Sequence, residues 1–306
     1  MTRRALVLFA LMSVIWGIPY LFIRVAVAEV TPATLVFART AIATLILLPI
    51  ALVRLDLRPV LARWRWVLAF AVVEVAGPWV LLGSAEQHVT SSLAGLLVAG
   101  VPLVGMLVAV TTGGRDRLGG IGVAGLLLGL AGVAGIVGFD LDAADPVSLV
   151  QIGLVVIGYA VGPAILARKL DGVPSLGVMA VTLAISAVGY APVAVLQWPN
   201  AVPSPGVLIA VVVLGVVCTA LAFILFGALI EAVGPVRATV ITYVNPAVAA
   251  LLGVAVLAEP ITLPMTIGFC LVLLGSVLAT RRPGSPAGVA SSTNEAITAD
   301  APGSAG

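Results

Sequence analysis

Glu74 is the residue whose position most demands an explanation in chemical terms. It stands in "AFAVVEVAGPWV", residues 69–80, a run that is otherwise apolar. An ionised carboxylate is costly to remove from water. The acid is therefore either a neutral, hydrogen-bonded structural group or a group that pairs with a cation or exchanges protons. Acids at membrane depth usually face a cavity or a partner, which favours a functional role. Arg39, in "FARTAIATLILL", is a cation at comparable depth. If both runs are helices, Arg39 lies about 9 Å and Glu74 about 14 Å from the same end of their runs. Their depths allow a pair, and a fixed structural pair is the competing explanation. A buried Arg39 needs an acid, helix-end carbonyls or water, because arginine does not discharge by losing a proton.

Trp16, Tyr20, Tyr159 and Tyr243 also lie inside apolar runs. An indole or phenol there can stack on a flat substrate and donate a hydrogen bond, and ordinary packing or an interfacial belt explains each equally well. Asn245 precedes Pro246, which frees a backbone carbonyl within its run. The amide beside it offers both a donor and an acceptor to a cavity. Pro102 occupies the matching place in an earlier run, and the two prolines are expected to break and gate their helices. Arg24, three residues from the end of its run, can reach the headgroup region.

Other residues carry less. His88 and Glu86 lie near each other in a loop, but two potential ligands do not make a metal site, and a histidine-based catalyst lacks partners. Cys218 and Cys270 both sit in apolar runs and read as packing residues. "GGIGVAG" (119–125) spells G-x-G-x-x-G at Gly120, Gly122 and Gly125, yet no strand precedes it. Gly125 and Gly129 instead have the spacing of a helix-packing surface. No cofactor or metal is expected.

The elements that must position these residues follow from composition. Of 306 residues, 61% are hydrophobic and 9% charged, against roughly 25% charged in a soluble domain, so no soluble core could hide this surface. Runs long enough to cross a bilayer as helices occur at about 5–27, 33–53, 64–83, 90–111, 119–138, 148–167, 174–197, 206–230, 236–257 and 262–280. The first could pass for a signal peptide, but its length of about 20 apolar residues argues for a retained helix. Of fifteen Lys and Arg, thirteen fall in 1–4, 54–65, 112–118, 168–173, 231–237 and 281–306. The positive-inside rule then puts both termini in the cytoplasm. Residues 283–306, rich in Gly, Ala, Ser and Pro, read as a disordered cytoplasmic tail. The net charge of +2 gives no nucleic-acid footprint.

An internal repeat organises the runs. "VTSSLAGLLVAGVPLV" (89–104) lies on "VGPVRATVITYVNPAV" (233–248), matching Pro102 with Pro246 at an offset of 144, and "IGVAGLLLG" (121–129) lies on "IGFCLVLLG" (267–275). The offset of 144 sets Glu74 against Cys218, so the acid occurs in one half only. Each half holds five runs, an odd number, so the copies cross in opposite senses, as in many secondary transporters. The fold class expected is an all-α membrane protein of ten helices: a first repeat over 1–138, an external loop over 139–147 and a second repeat over 148–282.

The residues resemble the EamA family of the drug/metabolite transporter superfamily over about 1–282. The resemblance rests on "VIWGIPYLFIR" with Trp16, Gly17 and Arg24, "FARTAIATLILL", "HVTSSLAGLLVAGVPL", "YAVGPAILARKL", and "YVNPAVAALLGVAVLAEPITLPMTIGFCLVLLGSVL" with Pro246 and Glu259. It implies two inverted five-helix repeats and export of small metabolites, amino acids or drugs, often coupled to protons. Glu74 is not part of that family pattern, and "TTGGRDRLGGIG" before the fifth run lacks the acid that Glu259 supplies in the second half. The expectation is an inner-membrane secondary transporter, not an enzyme, whose partners are a small-molecule substrate, the bilayer and protons. A membrane-embedded enzyme would need a clustered nucleophile and base, and a sensor or scaffold an appended soluble domain.

Overall fold

The computed structural model describes residues 2–111, 120–138, 145–234 and 238–280. The basic segment 112–118, most of the 139–147 loop and the tail 283–306 lie outside the described residues. Seven helices are long and apolar enough to cross a bilayer: α1 (Arg3–Ala26), α2 (Pro32–Arg54), α3 (Trp64–Ala85), α4 (Ser91–Val108), α6 (Pro146–Lys169), α7 (Ser175–Leu196) and α8 (Pro205–Val233). Three further apolar helices are shorter: α5 (Gly120–Ile136), α9 (Ile241–Leu257) and α10 (Leu263–Leu278). Among the described residues there is no strand.

Local chemistry starts these helices. Thr31, Asp145 and Ser204 each accept a hydrogen bond from the backbone N–H three residues on, and each is followed by a proline at the first helical position. A short polar side chain satisfies an orphan donor, and proline spends none there. Thr90 caps α4 the same way. These caps gather at one end of the bundle with Glu29, Glu86 and Glu259, where Ser204 N–H donates to Glu29 (2.7 Å) and Gln151 to Ser84 (3.1 Å). The opposite end carries Arg54, Arg58, Arg63 and Lys169, and Arg63 donates to the carbonyls of Lys169 and Asp171 (3.1 and 2.7 Å). We refer to them as the acidic and basic ends.

The outer surface is apolar as well as the core, unlike that of a soluble bundle. Leu45, Val53, Val188, Val195 and Leu196 are exposed while Thr40, Ser91, Ser92, Ser148 and Thr182 are buried, as a hydrocarbon surround requires. Without a hydrophobic drive between helices, close approach through small residues holds the pairs together. On α5 and α10 a Cβ added to Gly132 would lie 2.6 Å from the Gly268 carbonyl, and one added to Gly275 would lie 2.6 Å from that of Gly125. The formal nucleotide motif thus opens a helix-packing face. A shallow apolar groove of about 240 Å³ between these helices, lined by Leu263, Pro264 and Ile267 among others, lies on the same apolar face.

Several helices are not continuous, which run length alone does not predict. Helix α1 breaks at Trp16 and Gly17, between Arg3–Ile15 and Ile18–Ala26. Helix α4 breaks at Ala99 and Gly100, and Pro102 is the second residue of the segment that follows. In α9 a 3₁₀ turn, Thr239–Tyr243, gives way to Asn245–Leu257, with Pro246 again second. Two π-helical segments are also present, Ala71–Ala76 in α3 and Val216–Leu221 in α8. They start 145 residues apart, one more than the sequence offset.

Candidate functional site

Proline 78 accounts for the first π segment. In a regular α-helix the residue at 78 donates to the carbonyl of Glu74, and proline has no N–H to give. The turn widens, Gly77 N–H reaches back to Val72, and the Ala76 carbonyl accepts from the Tyr190 hydroxyl of α7 (3.0 Å). The second π segment has a different cause. The Thr219 hydroxyl donates to the Leu214 carbonyl (2.7 Å), competing with the backbone ladder, and Ala222 N–H reaches Val217. Such widened turns occur often at functional sites.

Between these segments sits Arg39, buried at 7% exposure. Its Nε donates to Thr219 Oγ1 (2.8 Å), and the guanidinium lies over the Trp79 ring at 3.6 Å from the centroid. A desolvated cation on an indole face gains about 2 kcal/mol. Tyr20 of α1, Tyr159 of α6, Cys218 of α8 and Glu86 are within electrostatic reach of it. Trp79 and Tyr159 interact through their side chains. Residues from α1, α2, α3, α6 and α8 therefore meet in one polar cluster.

Glu74 stands beside this cluster but is not bonded to Arg39. Ten residues from Trp64 and eleven from Ala85, it is about 15 Å along α3, at mid-depth. Its Oε2 is buried without a hydrogen-bond partner, while Arg39 spends Nε on Thr219. The carboxylate rests on α6, where a Cβ on Gly162 would overlap it and one on Gly158 would lie 2.5 Å from the Val73 carbonyl. These two glycines, four apart in "GYAVG", let α6 approach the π segment. Tyr159, between them on α6, is the ionisable neighbour within reach of Glu74. Similar depth permits a Glu74–Arg39 pair; Arg39 is instead partnered by Thr219 of the other half, a contact that sequence spacing gives no means to find.

Other residues singled out above lie elsewhere. Trp16 packs against Phe226 and Phe223 of α8, with centroids at 4.7 and 6.3 Å, at the break in α1. Asn245 serves the same break: its amide donates to the carbonyls of Ser13 and Ile241 (3.0 and 2.9 Å). The Ser13 carbonyl is available because Gly17 N–H bonds Val14 instead. Tyr243 reaches toward the Ser276 carbonyl of α10 (3.5 Å). Arg24 does not point to the headgroups alone, since it donates to the main-chain carbonyl of Glu86. Cys218 is buried and Cys270 exposed, and both are free. Among the described residues, no three His, Cys, Asp or Glu side chains gather as metal ligands do.

At the acidic end two acids differ. Glu259 follows α9 and takes Ser91 N–H (2.8 Å), Ser92 N–H (2.9 Å) and both serine hydroxyls (3.0 and 2.6 Å). Burial alone would raise its carboxyl, but these donors outweigh it and hold the group below the ordinary carboxylate range. Glu86, read from sequence as a loop acid, is instead wholly buried. Burial, aided by Glu259, pushes its carboxyl well up against the opposing pull of Arg24. The polar "SAEQH" around it gave no sign of this.

The fold and site define a multi-span helical membrane protein whose centre is lined by an arginine, aromatic hydroxyls and an unpaired acid. Residues 3–138 and 148–281 each match the profile of the EamA-like transporter family, so the chain belongs to that family. A solved crystal structure 23% identical in sequence superposes with a TM-score of 0.64, covering 92% of this chain and 97% of its own. That likeness shows the shared fold. No match to a curated protein was found.

Proposed function

We infer that this protein is a secondary transporter that exports small metabolites, amino acids or drugs by alternating access, driven by protons. The arrangement is ten crossings in two inverted repeats, in the inner membrane with both termini cytoplasmic. The observation that carries this reading is that both family segments contribute to one buried cluster: Arg39, Trp79 and Tyr20 from the first, Thr219 and Tyr159 from the second. A binding site where two repeats meet at mid-depth is exposed to either side by rocking one against the other.

The roles divide by chemistry. Arg39 supplies a fixed positive charge for an anionic group of the substrate, while Trp79, Tyr20 and Tyr159 supply flat apolar faces and hydroxyls. Glu74 carries the proton: its Oε2 is buried without a hydrogen-bond partner, and water entering from one side lets the acid exchange its proton. The breaks in α1, α4 and α9, with Pro102 and Pro246 opening the segments after two of them, are hinges that absorb the motion. Trp16 and Asn245 hold the α1 hinge together, and Tyr243 tethers α9 to α10.

The test is purified protein in liposomes, presented with a mixture of small metabolites with and without a pH gradient. The expected result is accumulation of at least one compound above empty liposomes, lost when a protonophore collapses the gradient. Equal uptake of every compound by empty and protein-containing liposomes contradicts the reading.

A further inference from the structure

Glu86 has no exposed surface, and neither of its carboxyl oxygens has a hydrogen-bond partner. It caps the end of α3, with its own N–H bonded to Leu82, so its backbone is fixed and its side chain turned inward. Arg24 lies beside it, yet gives an N–H to the Glu86 main-chain carbonyl. Arg24 and Tyr20 face it from α1, Arg39 from α2, Tyr159 from α6 and Glu259 from the segment after α9. His88, two residues on, interacts with Asp145.

This surround does not suit a permanent carboxylate. Buried charges persist when hydrogen bonds satisfy them, and an unsatisfied one carries its full desolvation cost. Glu259, at the same end, shows what satisfaction requires: two backbone N–H groups and two hydroxyls. Glu86 has Arg24 beside it but no such set of donors on its carboxyl oxygens, and a bound proton, by removing the charge, lowers the cost of burial.

We propose that Glu86 is a proton-binding site at the acidic end, through which the proton carried by Glu74 is exchanged with the solution on that side. The onward path rests on the proton-coupled reading above; the protonation of Glu86 does not. Twelve residues along α3 separate the two acids by about 18 Å, too far for direct transfer. Tyr159 interacts electrostatically with both acids, and Tyr20 with Tyr159 and Glu86. Among the described residues no hydrogen bond joins the acids to these phenols, so water that enters as this end opens must complete the path. In the transfer, Glu74 gives its proton to entering water and becomes a carboxylate, and ionised Glu86 takes one proton from water and becomes the neutral acid. It then gives its proton to water when this end opens. No electrons move.

Infrared difference spectroscopy of the full-length protein in lipid, titrated from acidic to alkaline pH, reads the protonated-carboxyl C=O stretch directly. We expect Glu86→Gln to remove one titrating band that persists in Glu74→Gln, and Glu86→Asp to shift it. Glu86→Gln should also slow gradient-driven accumulation several-fold while leaving substrate exchange unchanged. A Glu86→Gln spectrum identical to wild type, or a Glu86→Asp spectrum identical to wild type should Glu86→Gln not fold, overturns the proposal. If Glu74→Gln accumulates substrate like wild type, the coupling role of Glu74 and the path from it fail, while the band assigns the Glu86 proton on its own.

Discussion

The two π segments, Ala71–Ala76 and Val216–Leu221, occupy corresponding places in the two halves but carry opposite chemistry. In α8 the widened turn is saturated: Thr219 donates to Leu214 and accepts from Arg39. In α3 the turn presents Glu74, whose Oε2 is buried without a partner, against the bare backbone of Gly162. The distortion recurs at corresponding places although its local causes differ, Pro78 in α3 and the Thr219 hydroxyl in α8, and the side chains it presents are an anchor in one half and an acid in the other. A site that must bind on one side of the membrane and release on the other needs such an asymmetry. A fixed cation keeps its charge throughout, while an acid without donors is free to change its own.

The comparison breaks most completely if the anchor is removed. Arg39→Ala deletes a charge-assisted hydrogen bond of about 1.5–3 kcal/mol and the contact with Trp79. The loss of a buried, acid-free cation offsets part of that cost. We expect the protein to fold and substrate exchange to disappear, checked by counterflow in liposomes with whichever compound the metabolite screen identifies. Exchange at the wild-type rate would remove Arg39 from the site.

A smaller effect is expected at Glu259, an acid whose two oxygens are both hydrogen-bonded. Its carboxyl is held below the ordinary range, so the stabilisation it gives is complete above the unfolded carboxylate pKa of about 4.3. It is lost as pH falls below that value through the lowered one. Thermal unfolding in detergent should therefore show a stability loss in that acid range for wild type. In Glu259→Gln the corresponding step should be absent, with lower stability at neutral pH. Parallel pH profiles for the two proteins would show that Glu259 does not clamp α9 to the start of α4.

Much of the scaffold was legible because it is local. Apolar length located the helices, so that the run at 33–53 became Pro32–Arg54, and Thr31-Pro32 announced the cap that starts it. Glu74 and Arg39 stood out as charges in apolar runs. What stayed hidden depends on contacts distant in sequence or on backbone detail. Arg39 and Thr219 are 180 residues apart, and a threonine in an apolar helix gives no sign that it will meet a guanidinium. The π segment around Glu74 was traceable to Pro78 only in retrospect, since proline kinks a helix in several ways. Glu86 was misread because its neighbours are polar, and polar neighbours in sequence do not prevent burial in space.

Gradient-driven uptake by Glu74→Gln, reconstituted beside wild type, tests the central claim most directly. Glutamine keeps the shape of the acid and its packing on Gly162 but never takes or gives a proton. The account predicts normal expression, retained substrate exchange and no accumulation driven by a pH gradient. Accumulation at the wild-type level by Glu74→Gln would contradict it and leave Glu74 as a half-buried structural acid.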